Sequence, residues 1–76
     1  LGYEVLEKKD FKSAIEFFKI NTEKFPKSDN AWDSLGEGFY NAKNYSEALK
    51  SYEKSIELNP KSESGKEMIK KIKAKQ

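Results

Sequence analysis

Residues 29–62 run DNAWDSLGEGFYNAKNYSEALKSYEKSIELNPKS, and the residues before them echo that stretch 34 positions earlier. Leu35-Gly36 matches Leu1-Gly2, Ala48 matches Ala14, Tyr52 matches Phe18, and Pro60-Lys61-Ser62 matches Pro26-Lys27-Ser28. A period of this length in helix-forming sequence marks stacked helical hairpins, each unit burying its apolar face on the next. The expected fold is therefore all-α, with antiparallel hairpins stacked as a right-handed solenoid.

Working outward from that stretch, apolar residues at helical spacing predict about five helices. Trp32, Leu35, Gly36 and Phe39 fall at i, i+3, i+4 and i+7 after Ser28 or Asp29, either of which can accept from the free amides of a first turn. Tyr45, Ala48, Leu49, Tyr52 and Ile56 follow Asn44, a second candidate cap, and Pro60 ends that helix. One period earlier, Phe11, Ala14, Ile15, Phe18 and Thr22 follow Asp10 in the same way, and Pro26 closes the segment with Phe25 at or beyond the helix end. Tyr3, Val5 and Leu6 predict a short separate helix before them, ending near Lys8-Lys9. After Ser62, Met68, Ile69 and Ile72 give a last helix one apolar side, with lysines around the rest.

A glycine inside a helix costs about 1 kcal/mol relative to alanine, so Gly36, and Gly2 one period earlier, should mark close helix approach. Ala48 and Ala14 should do the same for the second helix of each hairpin. Tyr52 and Phe18 are large rings expected to fill the space left between hairpins.

The composition narrows the function. With no cysteine and no histidine, there is no disulfide framework, no thiolate metal site and no imidazole base, and no cofactor is expected. Fifteen lysines against thirteen acids are interspersed to a net +2, which does not suggest a nucleic-acid partner. No apolar run approaches the roughly 18 residues of a membrane span. The chain opens on Leu1 with no leader-like stretch, so a longer parent is expected and the compartment stays open.

Weaker patterns have simpler explanations. Ser51 and Lys54 match S-x-x-K without its partner motifs. Gly36-Glu37-Gly38 lacks the strand and third glycine of a phosphate loop. Asn44-Tyr45-Ser46 is a formal glycosylation sequon that an N-cap followed by a core ring accounts for. The lysines from Lys66 to Lys75 could touch acidic lipid or nucleic acid, but the short Met68, Ile69 and Ile72 stripe is what a sealing helix needs, and neither a membrane nor a nucleic-acid partner is expected.

Residues 29–62 resemble a tetratricopeptide repeat, whose pattern sets Trp, Leu-Gly, Tyr, Ala, Phe, Ala and Pro at fixed offsets. Here these are Trp32, Leu35-Gly36, Phe39, Ala48, Tyr52, Ser55 and Pro60. The resemblance implies one domain over 1–76, with a truncated first repeat at 1–28, a complete one at 29–62 and a capping helix at 63–76. Its packing residues are Leu1, Gly2, Ala14, Phe18, Pro26, Trp32, Leu35, Gly36, Phe39, Ala48, Tyr52 and Pro60.

Such repeats line a concave groove with their first helices and bind a protein or peptide segment there, without catalysis. Carried onto this chain, the groove positions are Tyr3, Glu7, Asn30, Asp33, Glu37, Tyr40, Asn41, Glu67 and Lys71, with Leu6 and Ser64 beside them. That set is acidic and aromatic and suits an extended peptide bearing a cationic or apolar side chain. The subtype that clamps a chaperone's C-terminal carboxylate needs a lysine, asparagine and arginine set. Ser34 and Met68 stand at two of those positions and the chain has no arginine, which argues against a chaperone tail.

Two alternatives stand beside the groove. The resemblance to short repeat tails of larger bacterial proteins, some serine hydrolases among them, implies a structural appendage packing on its parent. The incomplete first repeat also implies a homo-oligomer through Leu1, Val5 and the Phe17-Phe18 side.

Overall fold

A computed structural model describes the backbone of residues 2–75 and the side chains of residues 11–75. Four helices follow one another: α1 (Gly2–Lys24), α2 (Asp29–Asn41), α3 (Tyr45–Leu58) and α4 (Glu63–Lys75). Among the described residues there is no strand. Each helix packs on the next in sequence, α1 on α2, α2 on α3 and α3 on α4. Every pairing is antiparallel, as the contacts below show.

The expected break near Lys8-Lys9 is absent. The two helices anticipated before Pro26 are one, and Asp10 lies inside α1. The matching point of the second unit shows why. There α2 ends because Lys43 takes the left-handed conformation, φ 64°, while Lys43 N–H donates to Tyr40 O and Asn44 N–H to Phe39 O, both at 2.9 Å. This is a Schellman closure built around a residue that is usually glycine, and left-handed backbone costs a side-chain-bearing residue on the order of 1–2 kcal/mol. Two asparagines, Asn41 and Asn44, weaken the helix on either side of that turn. Glu7, Lys8 and Lys9 are good helix formers, and continuing the helix avoids the cost. Leu1 lies outside the described residues; Gly2, Tyr3, Val5, Leu6 and Glu7 have described backbone but not side chains.

The other helix ends follow simple chemistry. Ser28 Oγ accepts from Ala31 N–H at 3.3 Å, so serine, not Asp29, caps α2. Asp29 and Glu63 sit in the first turns of α2 and α4, and Lys73 and Lys75 in the last turn of α4, each placed to suit the helix dipole. Asn44 makes no side-chain cap bond to α3. Ser62 Oγ accepts from Gly65 N–H at 3.3 Å at the start of α4.

Leu35, Phe39, Ala48, Tyr52 and Ile72 form the buried core, bordered by Ile15, Phe18, Trp32, Leu49, Met68 and Ile69. Burying each large apolar side chain contributes about 1.5–3 kcal/mol. Glycines set the distances between helices. A Cβ on Gly36 would lie 2.9 Å from the Tyr52 ring, one on Gly38 3.2 Å from Phe18, and one on Gly65 3.2 Å from Ile56. The Tyr52 ring therefore fills its own α2–α3 hairpin, where the sequence suggested a space between hairpins. Phe18 does lie between α1 and the hairpin that follows it.

Candidate peptide-binding face

Ala48 and Tyr52 fix how α3 lies on α2 and so decide which side of α2 remains open. Trp32, Leu35, Gly36 and Phe39 turn toward neighbouring helices, with the Trp32 indole N–H donating to Pro26 O at 2.8 Å. The opposite stripe of α2 carries Asp29, Asn30, Asp33, Glu37, Tyr40 and Asn41, which share one side of a helix of 3.6 residues per turn. Asn30, Glu37 and Asn41 are exposed, while Asp33 and Tyr40 are half-buried. Glu67 and Lys71 are exposed on α4. The side chains of Tyr3 and Glu7 lie outside the described residues.

The stripe is negatively charged enough to alter its own proton affinities. Asp33 has its carboxyl raised above the usual 3.8, first by burial and then by the neighbouring charges of Glu37 and Asp29. Tyr52 has its phenol pushed well above the usual range by burial first, then by Asp33, Glu37 and Tyr40. The structure thus brings Asp33, Glu37 and Tyr40 together with Tyr52, which sequence reasoning placed among the packing residues alone. One signal pointed to it. A buried phenol, unlike a phenyl ring, needs a polar side for its hydroxyl, and that side is the acidic stripe.

Asp29 was missed as well. Its carbonyl accepts from Ser55 Oγ at 3.0 Å and its carboxylate from Asn59 Nδ2 at 3.1 Å, so the start of the stripe is tied to the end of α3. Gly38 was also overlooked, although a second glycine inside one helix is itself a sign of close packing. At the other end, Tyr40 packs on Tyr45, ring centroids 5.5 Å apart.

An open depression of about 430 Å³ lies elsewhere, lined by Phe11, Lys12, Ile15, Glu16 and Lys19 of α1 with Ala42. It contains none of the groove candidates. Concavity favours that depression, whereas charge and phenol groups concentrate on α2. Among the described residues no group of three His, Cys, Asp or Glu side chains could hold a metal ion, and no helix is long and apolar enough to cross a membrane.

A family model, Tetratricopeptide repeat, matches residues 29–62. The α2–α3 hairpin is a tetratricopeptide repeat. In this repeat Gly36 receives the ring of Tyr52, Ala48 is fully enclosed, and Pro60 follows the end of α3. The chain is also 51% identical over 37 residues to Superkiller complex protein 3 of Homo sapiens, and equally to that of Mus musculus. Each match covers 49% of this chain and 2% of the relative, so the chain spans a small part of those proteins. Tetratricopeptide repeats are an interaction fold, and protein partners are what this assignment implies.

Proposed function

We propose that the chain is a protein-interaction module whose α2 stripe takes an extended peptide bearing lysine or arginine. The observation that carries this reading is the shared field on Asp33 and Tyr52: burial and neighbouring acids raise both proton affinities. Burial supplies the larger part of both shifts; the remainder, from Glu37 and Asp29 at Asp33 and from Asp33 and Glu37 at Tyr52, is a negative potential that a cationic side chain brought there would relieve. Tyr40 offers flat contact area, and Asn30 and Asn41 can donate to and accept from a peptide backbone. Glu67 and Lys71 extend the face onto α4. In this reading 1–28 is a truncated first repeat, 29–62 the complete repeat and 63–76 a capping helix.

Fluorescence anisotropy tests it, using a labelled extended peptide that alternates lysine with apolar residues and an acidic counterpart of equal length. The lysine peptide should bind and the acidic one should not. Glu37→Lys, at an exposed position, should weaken the lysine peptide several-fold. Equal binding of the two peptides, or indifference to Glu37→Lys, would count against the reading.

A further inference from the structure

At the end of the α2 stripe the acids give way to rings. Tyr40 stands one turn after Glu37 and packs on Tyr45, the first residue of α3, with ring centroids 5.5 Å apart. Both rings lean on the buried core. Each is half-buried, so each is held in place and keeps part of its surface in solvent.

This ring pair already holds a cation. Lys75, in the last turn of α4, sets its Nζ over the Tyr45 ring, 5.8 Å from the centroid. An ammonium within about 6 Å of an aromatic centroid is attracted by the quadrupole of the ring. Lys75 is exposed and forms no ion pair among the described residues, although the chain carries thirteen acids. Its four-carbon stem is flexible, so the ammonium can leave the ring without any movement of α4.

The spacing suits the ligand class. The midpoint of Asp33 and Glu37 lies about 7.5 Å before Tyr40 along a helix that rises 1.5 Å per residue. An extended peptide advances about 3.3 Å per residue, so lysines at alternate positions are roughly 6.6 Å apart. One lysine set against the two carboxylates therefore brings the next to the rings.

We infer that Tyr40 and Tyr45 form a seat for a second cationic side chain of the ligand, and that Lys75 fills this seat in the free chain as an internal competitor the ligand displaces. The inference rests on the α2 stripe as the peptide face. It adds Tyr45, which the stripe does not contain, and gives α4 a part in setting the affinity.

Anisotropy with the lysine-alternating peptide reads the competition. Lys75→Gln should tighten binding about two- to five-fold, the ordinary worth of an exposed cation over a ring. Lys73→Gln removes the same charge from the same helix turn and should leave the affinity close to that of the parent. Tyr45→Leu should weaken binding, Tyr45→Phe, which keeps a ring, should not, and the gain from Lys75→Gln should vanish in the Tyr45→Leu background. In NMR of the chain carrying carbon-labelled lysine, the Lys75 ε-methylene should resonate upfield of the other lysines through the Tyr45 ring current and rejoin them at peptide saturation. This last readout needs no substitution at a packed ring. Peptide binding that responds to Glu37→Lys but ignores Lys75→Gln and Tyr45→Leu, equal tightening by Lys75→Gln and Lys73→Gln, or a Lys75 signal that stays in place at saturation would each overturn the inference and leave the stripe reading standing. Failure of the lysine peptide to bind either the parent or Lys75→Gln would remove both.

Discussion

The Tyr52 ring rests on the backbone of Gly36, close enough that a single methyl group at Gly36 would come within 2.9 Å of two ring carbons. Replacing a helix-interior glycine by alanine ordinarily gains about 1 kcal/mol. Here the ring is 2% exposed and has nowhere to move, and overpacking costs about 1–3 kcal/mol. Gly36→Ala should therefore lower the melting temperature, by several degrees if the net loss approaches ~1 kcal/mol in a domain of this size. A thermal melt showing stabilisation would mean that the α2–α3 crossing is looser than described.

Lys43 is the opposite case. It holds φ 64° at the position after α2 where glycine has no Cβ penalty. Lys43→Gly should raise stability by roughly 0.5–1 kcal/mol, the relief of left-handed backbone partly offset by the unfolded-state entropy of glycine. Urea denaturation with an unchanged m-value would measure it, and a loss of stability would contradict the closure assigned to this turn.

These two positions show what the sequence made legible. The α2–α3 hairpin was readable because the period repeats Leu-Gly, Ala, the ring and Pro together, so one register satisfies them all. The continuity of α1 was not. Lys8-Lys9-Asp10 and Ala42-Lys43-Asn44 occupy equivalent places, and what separates them is a small difference in helix propensity set against the cost of one left-handed residue. The α2 stripe was readable as a surface because its residues share a helix side. Periodicity alone did not place Tyr52 beside it, since periodicity shows that a ring is buried; only the need of a buried phenol for a polar side pointed there.

Asp29 holds the two helices of the repeat together at their ends through Ser55 and Asn59. Ser55→Ala and Asn59→Ala should each cost about 0.5–1.5 kcal/mol, the net worth of a hydrogen bond. The two acceptors belong to one residue, so the double variant should depart from additivity. A double-mutant cycle by chemical denaturation checks this; strict additivity would mean that the two bonds act separately.

Asp33 carries a proton affinity raised by burial, Glu37 and Asp29. Because its native pKa lies above the unfolded value near 3.8, the folded chain binds this proton more readily, and stability falls as pH rises through the window between those two values. Above that window the carboxylate is a standing cost to the fold. Asp33→Asn should therefore melt higher than the parent at neutral pH, with the difference shrinking as the pH drops below the usual carboxylate range. A variant that melts lower at neutral pH would place Asp33 in a favourable contact and remove the argument for a strained acidic face. Stability given up at a surface position is consistent with a residue kept for binding.

The proposal that the α2 stripe receives a cationic peptide is tested most directly by amide NMR of the labelled chain titrated with the lysine-alternating peptide. The account predicts that the largest shifts fall on Asn30, Asp33, Glu37, Tyr40 and Asn41, continuing to Glu67 and Lys71. Shifts concentrated instead on Phe11, Ile15, Lys19 and Ala42 would assign binding to the depression on α1 and contradict it.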